Sequence, residues 1–153
     1  MITYNVDDIK MPVFPKRKIS LWIKQVAEDR RKRVGEIAYV FCSDHKILEL
    51  NRAYLNHDYY TDIITFDYSE NDIISGDIFI SVDTVRTNAE QLSVGYCNEL
   101  YRVIIHGILH LCGIEDKTPE ARIIMESNED SALKMLYDRW IKSDSPSFYK
   151  CST

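Results

Sequence analysis

The order of apolar and polar positions along the chain predicts strands that alternate with helices. Four short stretches rich in β-branched and aromatic residues are typical of strands, and longer stretches repeat their apolar positions at helical spacing. The predicted strands are residues 2–6, 36–42, 61–68 and 77–81. The predicted helices are residues 18–33, 44–54, 82–92, 98–112 and 119–141. This alternation indicates an α/β layer fold with a mixed sheet of about four strands and about five helices.

Individual residues indicate where the predicted helices begin and end. Gly35 is expected to stop the first helix, and Ser43 supplies an N-cap hydroxyl for the second. Tyr54 is expected on the apolar side of that second helix. Gly113 suits the left-handed conformation that ends the fourth helix. Thr118, followed by a proline and an acid, is typical of a helix start.

The fourth predicted helix, residues 98–112, is apolar almost all round. A helix of this kind is expected at the centre of a fold, because every face must be covered. The chain has no internal repeat and no low-complexity linker. We therefore expect one domain over residues 1–142, followed by a flexible tail over 143–153.

Composition limits the classes of function. The 153 residues are 45% hydrophobic and 28% charged, which is typical of a globular chain. A net charge of −5 excludes a general polyanion binder, since bulk attraction to phosphate needs net positive charge. Two basic runs, residues 16–18 and 30–33, are interpreted either as solvated helix ends or as a local phosphate-binding patch.

Cysteine usage and the absence of targeting signals favour the cytoplasm. Four widely spaced cysteines without a C-x-x-C motif argue against a disulfide scaffold or a zinc ribbon. The N-terminus lacks the basic and apolar regions of a signal peptide. The most apolar window, residues 100–114, is shorter than a membrane span and carries an arginine and two histidines.

The candidate chemistry lies at the end of the fourth helix. His106 and His110 are one helical turn apart, so their imidazoles lie on one face. A reversal at Gly113 can bring Asp116 or Glu115 back toward the two rings. Two imidazoles and a carboxylate form the open ligand set of a hydrolytic metal site. The alternative is a pair of core histidines, although unliganded imidazoles are costly on an apolar helix.

The spacing H-x-x-x-H-x-x-G-x-x-D also matches the ligand pattern of metzincin proteases. A zincin, however, has its general-base glutamate directly after the first histidine, where this chain has Gly107. Peptide hydrolysis is therefore the less favoured chemistry.

Two further acids, Asp62 and Asp77, occur at the starts of predicted strands beside turn residues. Either a turn-forming role or a place in the active-site cleft is consistent with those positions.

Four segments, in order and at matching spacing, resemble the YbeY family of bacterial rRNA-maturation endoribonucleases. The helix end resembles the family's H-G-x-L-H-L-x-G signature, and three upstream segments resemble its L-N-x-x-Y, T-D-V-L-S-F and G-D-I motifs. The matching segments are residues 50–54, 61–66, 76–81 and 106–113.

The resemblance implies roles for individual residues. His106 and His110 take the places of two metal ligands, and Asp116 stands where the family has a third histidine. Carboxylate oxygen is also a zinc ligand, so the implied set is His106, His110 and Asp116. Glu115 takes the place of the family's aspartate and is the expected proton acceptor. Leu55 stands where the family has an arginine thought to serve RNA cleavage.

The implied activity is a metal-dependent endoribonuclease that cuts single-stranded RNA, matures the 3′ end of 16S rRNA and serves ribosome quality control. Zinc is the expected ion, with nickel or another transition metal as the alternative. Expected partners are rRNA and the small ribosomal subunit, with neither DNA nor membrane. The alternative functions are a ribosome-assembly factor that binds metal without cutting RNA, and a metzincin-like hydrolase of peptides.

Overall fold

Strands and helices alternate along the computed structural model, which describes residues 1–57 and 60–141. In chain order the elements are β1 (Ile2–Val6), α1 (Lys16–Asp29), β2 (Arg33–Cys42), α2 (Asp44–Leu50), a π-helical turn (Asn51–Leu55), β3 (Ile63–Asp67), β4 (Ile73–Ser81), α3 (Val82–Leu92), α4 (Tyr96–Leu111) and α5 (Pro119–Arg139). The tail expected over residues 143–153 lies outside the described residues.

The four strands form one mixed sheet in the order β1-β2-β4-β3. β1 pairs with β2 in parallel, and so does β2 with β4, whereas β3 joins the edge antiparallel to β4. The prediction of an α/β fold with a mixed four-stranded sheet and five α-helices is confirmed.

Alternating side chains of the sheet enter two separate apolar clusters. Ile78 and Ile80 of β4 belong to the large core with α1, α4 and α5, whereas Phe79 between them packs against the small cluster that α2 covers. This follows from the two-residue period of a strand, which sends successive side chains to opposite faces.

The first helix and its neighbouring strand have other bounds than predicted. α1 ends at Asp29, before Gly35, and Gly35 lies inside β2. Arg31 adopts a positive φ of 60°, which turns the chain directly into the strand. β2 and β4 both begin earlier than expected because Arg33 pairs with Ile73. A tertiary pairing thus overrides the polar, turn-like composition of the segment before Gly76.

The expectation for Tyr54 was wrong. α2 ends at Leu50 and continues as the π-helical turn, whose wider winding shifts the side chains that follow. Tyr54 is 68% exposed, with its ring edge-on to Phe66.

Helix α4 is the buried centre of the large core, as predicted. Its residues from Leu100 to Leu111 are almost all buried, apart from the side facing α5. The Tyr39 hydroxyl donates a 2.8 Å hydrogen bond to the Ile104 carbonyl and ties α4 to β2. Trp22 Nε1 donates a 2.8 Å bond to the Ala132 carbonyl and ties α1 to α5. Among the described helices, none has the length and apolarity to cross a bilayer.

Candidate metal centre

Two histidines and an aspartate meet at the C-terminal end of α4. The His106 and His110 rings lie one turn apart, with centroids separated by 4.6 Å and planes at 87°. Each Nε2 lies 3.3 Å from Asp116 Oδ2. The structure therefore brings together the three residues predicted as metal ligands.

The reversal that returns Asp116 to the rings depends on Gly113. Its φ is +101°, a left-handed conformation that costs other residues energy. The Gly113 N–H donates to the His110 carbonyl at 2.9 Å, and the Ile114 N–H donates to Leu109 at 3.0 Å. These two bonds form a Schellman motif, which satisfies carbonyls at the helix end. The predicted role of Gly113 is confirmed.

The donor atoms fit the requirements of a small divalent ion. One ligand atom from each of the three residues lies within 4.8 Å of the other two. Ligands placed tetrahedrally at about 2.0–2.1 Å from zinc lie roughly 3.4 Å apart, close to the observed 3.3 Å separations. His106, His110 and Asp116 could therefore hold a metal ion.

Glu129 from α5 fixes the orientation of one imidazole. Its side chain is buried, and Oε2 lies 2.6 Å from His106 Nδ1. Oε1 accepts a 2.9 Å bond from Arg102 Nη1, and Arg102 Nη2 donates to Asp130 at 2.7 Å. A carboxylate only accepts, so the Glu129 contact assigns a hydrogen to His106 Nδ1, and in the neutral imidazole this leaves the lone pair of Nε2 for a metal.

The charges around His106 also alter its protonation. Burial lowers the pKa of His106, but the hydrogen bond and charge of Glu129, with the charges of Asp116 and Asp62, outweigh burial and raise it above the ordinary value. Burial raises the pKa of the Asp62 carboxyl, and His106 opposes that increase.

Glu129 was missed in the sequence, although a signal for it exists. On α5 it lies four residues after buried Met125 and four before buried Leu133, within an apolar stripe. A carboxylate on an apolar stripe is rarely buried without a partner. The pattern indicates a buried ion pair without identifying its partner.

A cleft of about 750 Å³ surrounds the three candidate ligands. We call it the metal cleft. Its described lining is Leu55, His57, Thr61, Asp62, Ile63, Ile64, Thr65, Asp67, His106, His110, Asp116, Lys117, Arg122, Met125, Glu126 and Glu129.

Asp62 and Asp77, for which the sequence allowed either a turn-forming role or a place in the cleft, lie in different surroundings. Asp62 lines the metal cleft, and Asp77 lies outside its described lining, where its carboxylate accepts a bond from the Tyr68 hydroxyl at 3.4 Å. Leu55 also lines the cleft, at the position where the resembling family has an arginine. Glu115 is exposed and lies outside the described lining, although its neighbour Asp116 is part of it.

Gly107 faces the sheet and not the cleft. A Cβ atom there would lie 3.0 Å from Ile78 Cδ1 and 3.2 Å from Ile63 Cδ1. The position that carries the general base in a zincin is thus filled by close contact between α4 and the sheet. A glutamate at 107 would start on the sheet side of α4, and the Ile78 and Ile63 side chains would have to shift to admit it.

The basic runs at the two ends of α1 lie outside the described lining of the metal cleft. Lys16 stacks its ammonium over the Phe14 ring, and Lys32 pairs with Asp72. Arg30 donates to the side chain of Asn128.

Comparison with known proteins gives the same family as the motifs. The sequence profile described as Endoribonuclease YbeY matches residues 2–137. A protein of Bacteroides thetaiotaomicron named Endoribonuclease YbeY is 63% identical over 134 residues, which cover 88% of this chain and 98% of that protein. Its namesake in Phocaeicola vulgatus is 64% identical over 136 residues, 89% of this chain and 99% of that protein.

A solved structure matches the fold over nearly its whole length. The solution structure of TM1509 from Thermotoga maritima superposes with a TM-score of 0.65 at 25% identity, covering 96% of this chain and 95% of that one. The profile match and the identity to the two relatives each extend over most of the chain. The chain therefore belongs to the endoribonuclease YbeY family.

Proposed function

We propose that this chain is a metal-dependent endoribonuclease that cleaves single-stranded RNA in the metal cleft, with His106, His110 and Asp116 as the metal ligands. The observation that carries the proposal is the convergence of three ligand atoms within 4.8 Å inside an open cleft. The family supplies the class of reaction, since the relatives are named endoribonucleases. The activity is assigned to one domain, residues 1–142.

The chain's own residues bind the ion and orient its ligands. When bound, a zinc ion would polarise a phosphate oxygen and either activate a water or stabilise the leaving oxygen. His106 and His110 present their Nε2 atoms toward the Asp116 carboxylate, which adds an anionic ligand to the set. Glu129 keeps His106 in the tautomer that can bind. Nickel or another transition metal is the alternative to zinc, because imidazole and carboxylate also bind these ions.

Two carboxylates compete for the role of proton acceptor. Glu115 is the residue predicted from the sequence, and it is adjacent to Asp116 but exposed. Asp62 lines the metal cleft, and burial raises the pKa of its carboxyl toward the range of a general base. If Glu115 accepts the proton, Glu115→Gln lowers kcat and Asp62→Asn does not. The opposite result assigns the role to Asp62.

The proposed substrate is rRNA, at the 3′ end of 16S rRNA, with the small ribosomal subunit as partner and the cytoplasm as location. A duplex is too stiff to bend one phosphate onto ligands at the end of a buried helix, so single strands should be preferred. The same activity on faulty subunits would serve ribosome quality control.

The two alternatives predict different products. A passive assembly factor binds metal and RNA but leaves the RNA intact. A metalloprotease cuts casein, yet position 107, where such enzymes carry a glutamate, is a glycine in close contact with Ile78 on the sheet side of α4.

A time course on labelled single-stranded and duplex RNA tests the proposal. Metal-loaded wild-type protein should cut the single strand, lose activity with chelator and leave casein intact. His110→Ala should lose both metal and cleavage, which separates the protein from a contaminating nuclease. Intact RNA and intact subunits after incubation with fully metal-loaded protein would support the passive assembly factor.

A further inference from the structure

The metal cleft is acidic for a site that takes RNA. Its described lining includes five carboxylates but two side chains of lysine or arginine, Lys117 and Arg122. Phosphates repel carboxylates, and a divalent ion offsets part of the negative charge. A strand entering this cleft therefore gains most where the two cations lie.

Both cations line the metal cleft and lie in the segment that follows α4. Lys117 directly follows the candidate ligand Asp116, and Arg122 lies in the first turns of α5. They reach the same cleft as the imidazoles of α4. Lys117 follows the Gly113 reversal directly, whereas the packing of α5 positions Arg122.

Within residues 1–57 and 60–141, neither side chain makes an ion pair or a side-chain hydrogen bond, and both are exposed. Arg102 contrasts with them, because its guanidinium is already bound by Glu129 and Asp130. A cation without an internal partner binds phosphate without first breaking a pair.

We infer that Lys117 and Arg122 bind backbone phosphates of the RNA strand and position it across the candidate metal ligands. The inference rests on the proposed function and adds its substrate-positioning residues. A guanidinium suits two phosphate oxygens at once, whereas the lysine ammonium acts as a point charge.

The test is the salt dependence of RNA binding. A short fluorescent single-stranded RNA is titrated with the full chain at several KCl concentrations, with chelator and again with metal restored on ice. Each phosphate contact contributes a slope of about −0.7 to log K against log salt. Lys117→Gln and Arg122→Gln should each make the slope about 0.7 shallower and weaken binding roughly fivefold at about 0.1 M salt.

Two control variants test whether the position of the charge, and not the net charge of the protein, determines the slope. Lys24→Gln removes the same charge from an exposed position on α1 and should leave the slope unchanged. Lys117→Arg keeps the charge and should keep the slope. All variants should retain wild-type metal content, because none alters a candidate ligand.

An unchanged slope and affinity in the Lys117→Gln/Arg122→Gln double variant would overturn the inference. If the wild type still cuts RNA in that case, the proposed function stands and only the positioning residues are wrong. If wild-type protein neither binds nor cuts single-stranded RNA, the proposed function and the inference fail together.

Discussion

The buried carboxylate of Glu129 offers the sharpest test of the candidate metal centre. Its two oxygens each accept one bond, from His106 Nδ1 at 2.6 Å and from Arg102 Nη1 at 2.9 Å. Glu129→Gln preserves size but replaces one acceptor oxygen with an NH₂ donor. The single amide oxygen can accept a hydrogen bond from His106 or from Arg102, but not from both as the carboxylate does.

Two arrangements are open to the variant, and the first is unfavourable. If the amide oxygen faces His106, its NH₂ group meets an Arg102 N–H, donor against donor, in a partly buried place. If the NH₂ group faces His106, Nδ1 becomes the acceptor and the ring proton moves to Nε2. Nε2 is the atom that faces Asp116, so this tautomer has no lone pair for a metal.

We expect Glu129→Gln to weaken metal binding by about 10–100-fold, as removal of such supporting carboxylates typically does. This corresponds to roughly 1.4–2.8 kcal/mol. The measurement is competition with a chromogenic chelator at neutral pH. Thermal unfolding of the metal-free variant checks that the fold is intact.

Glu126→Gln is the matched control. Glu126 lies one turn earlier on α5 and also lines the metal cleft, but it makes no side-chain bond to His106. Loss of its charge should change metal affinity little. Equal affinities of wild type, Glu129→Gln and Glu126→Gln would refute the tautomer argument.

Four other outcomes are expected. Asp116→Ala should weaken metal binding at least about tenfold, and Asp116→His should restore it. Glu115→Ala should keep the wild-type metal content in elemental analysis, and a metal-free Glu115→Ala protein would contradict the ligand set. Gly107→Glu should lower the free energy of unfolding by more than about 3 kcal/mol in urea denaturation, because it forces a charged side chain against Ile63 and Ile78; a stable variant with peptidase activity would contradict this. The pKa of His106 is raised above its ordinary 6.5, so protonation of this ring stabilises the fold of the metal-free chain. This contribution to the free energy of unfolding should be complete below about pH 6.5 and should be lost as the pH rises through the raised pKa. A free energy of unfolding that does not change with pH over this range would contradict the ion pair with Glu129. Leu55→Arg should bind single-stranded RNA about fivefold more tightly at about 0.1 M salt, because Leu55 lines the cleft. Leu21→Arg, at a position of similar exposure on α1, should not change RNA affinity. Equal effects of the two variants would mean that the net charge of the protein, and not the position of the arginine, determines RNA affinity.

The predictable part of the site is the part held by local geometry. His106 and His110 share a face because a helix turns every 3.6 residues, and Gly113 marks the reversal that can return Glu115 or Asp116 to the rings. The spacing therefore predicts the two imidazoles and a carboxylate, and the family resemblance selects Asp116. The fold class was equally accessible, since apolar patterning distinguishes strands from helices.

The remainder depends on contacts between distant segments. Glu129 reaches His106 only because α5 packs against α4, and no spacing rule relates residues 23 positions apart. The early starts of β2 and β4 arise from their pairing with each other. Likewise, only the assembled fold shows that Asp62, Lys117 and Arg122 line the metal cleft.

The candidate ligands occupy a single stretch of eleven residues, from His106 to Asp116. An unfolded chain therefore keeps them close together, because closing so short a loop costs little entropy. Such a chain can retain weak affinity for the ion, and ligand binding to the unfolded state reduces the stabilisation that the ion gives to the folded one. Added metal should then raise the melting temperature less than the native affinity implies. The contacts that discriminate native from denatured protein are those made by Glu129, which only folding brings to the imidazole.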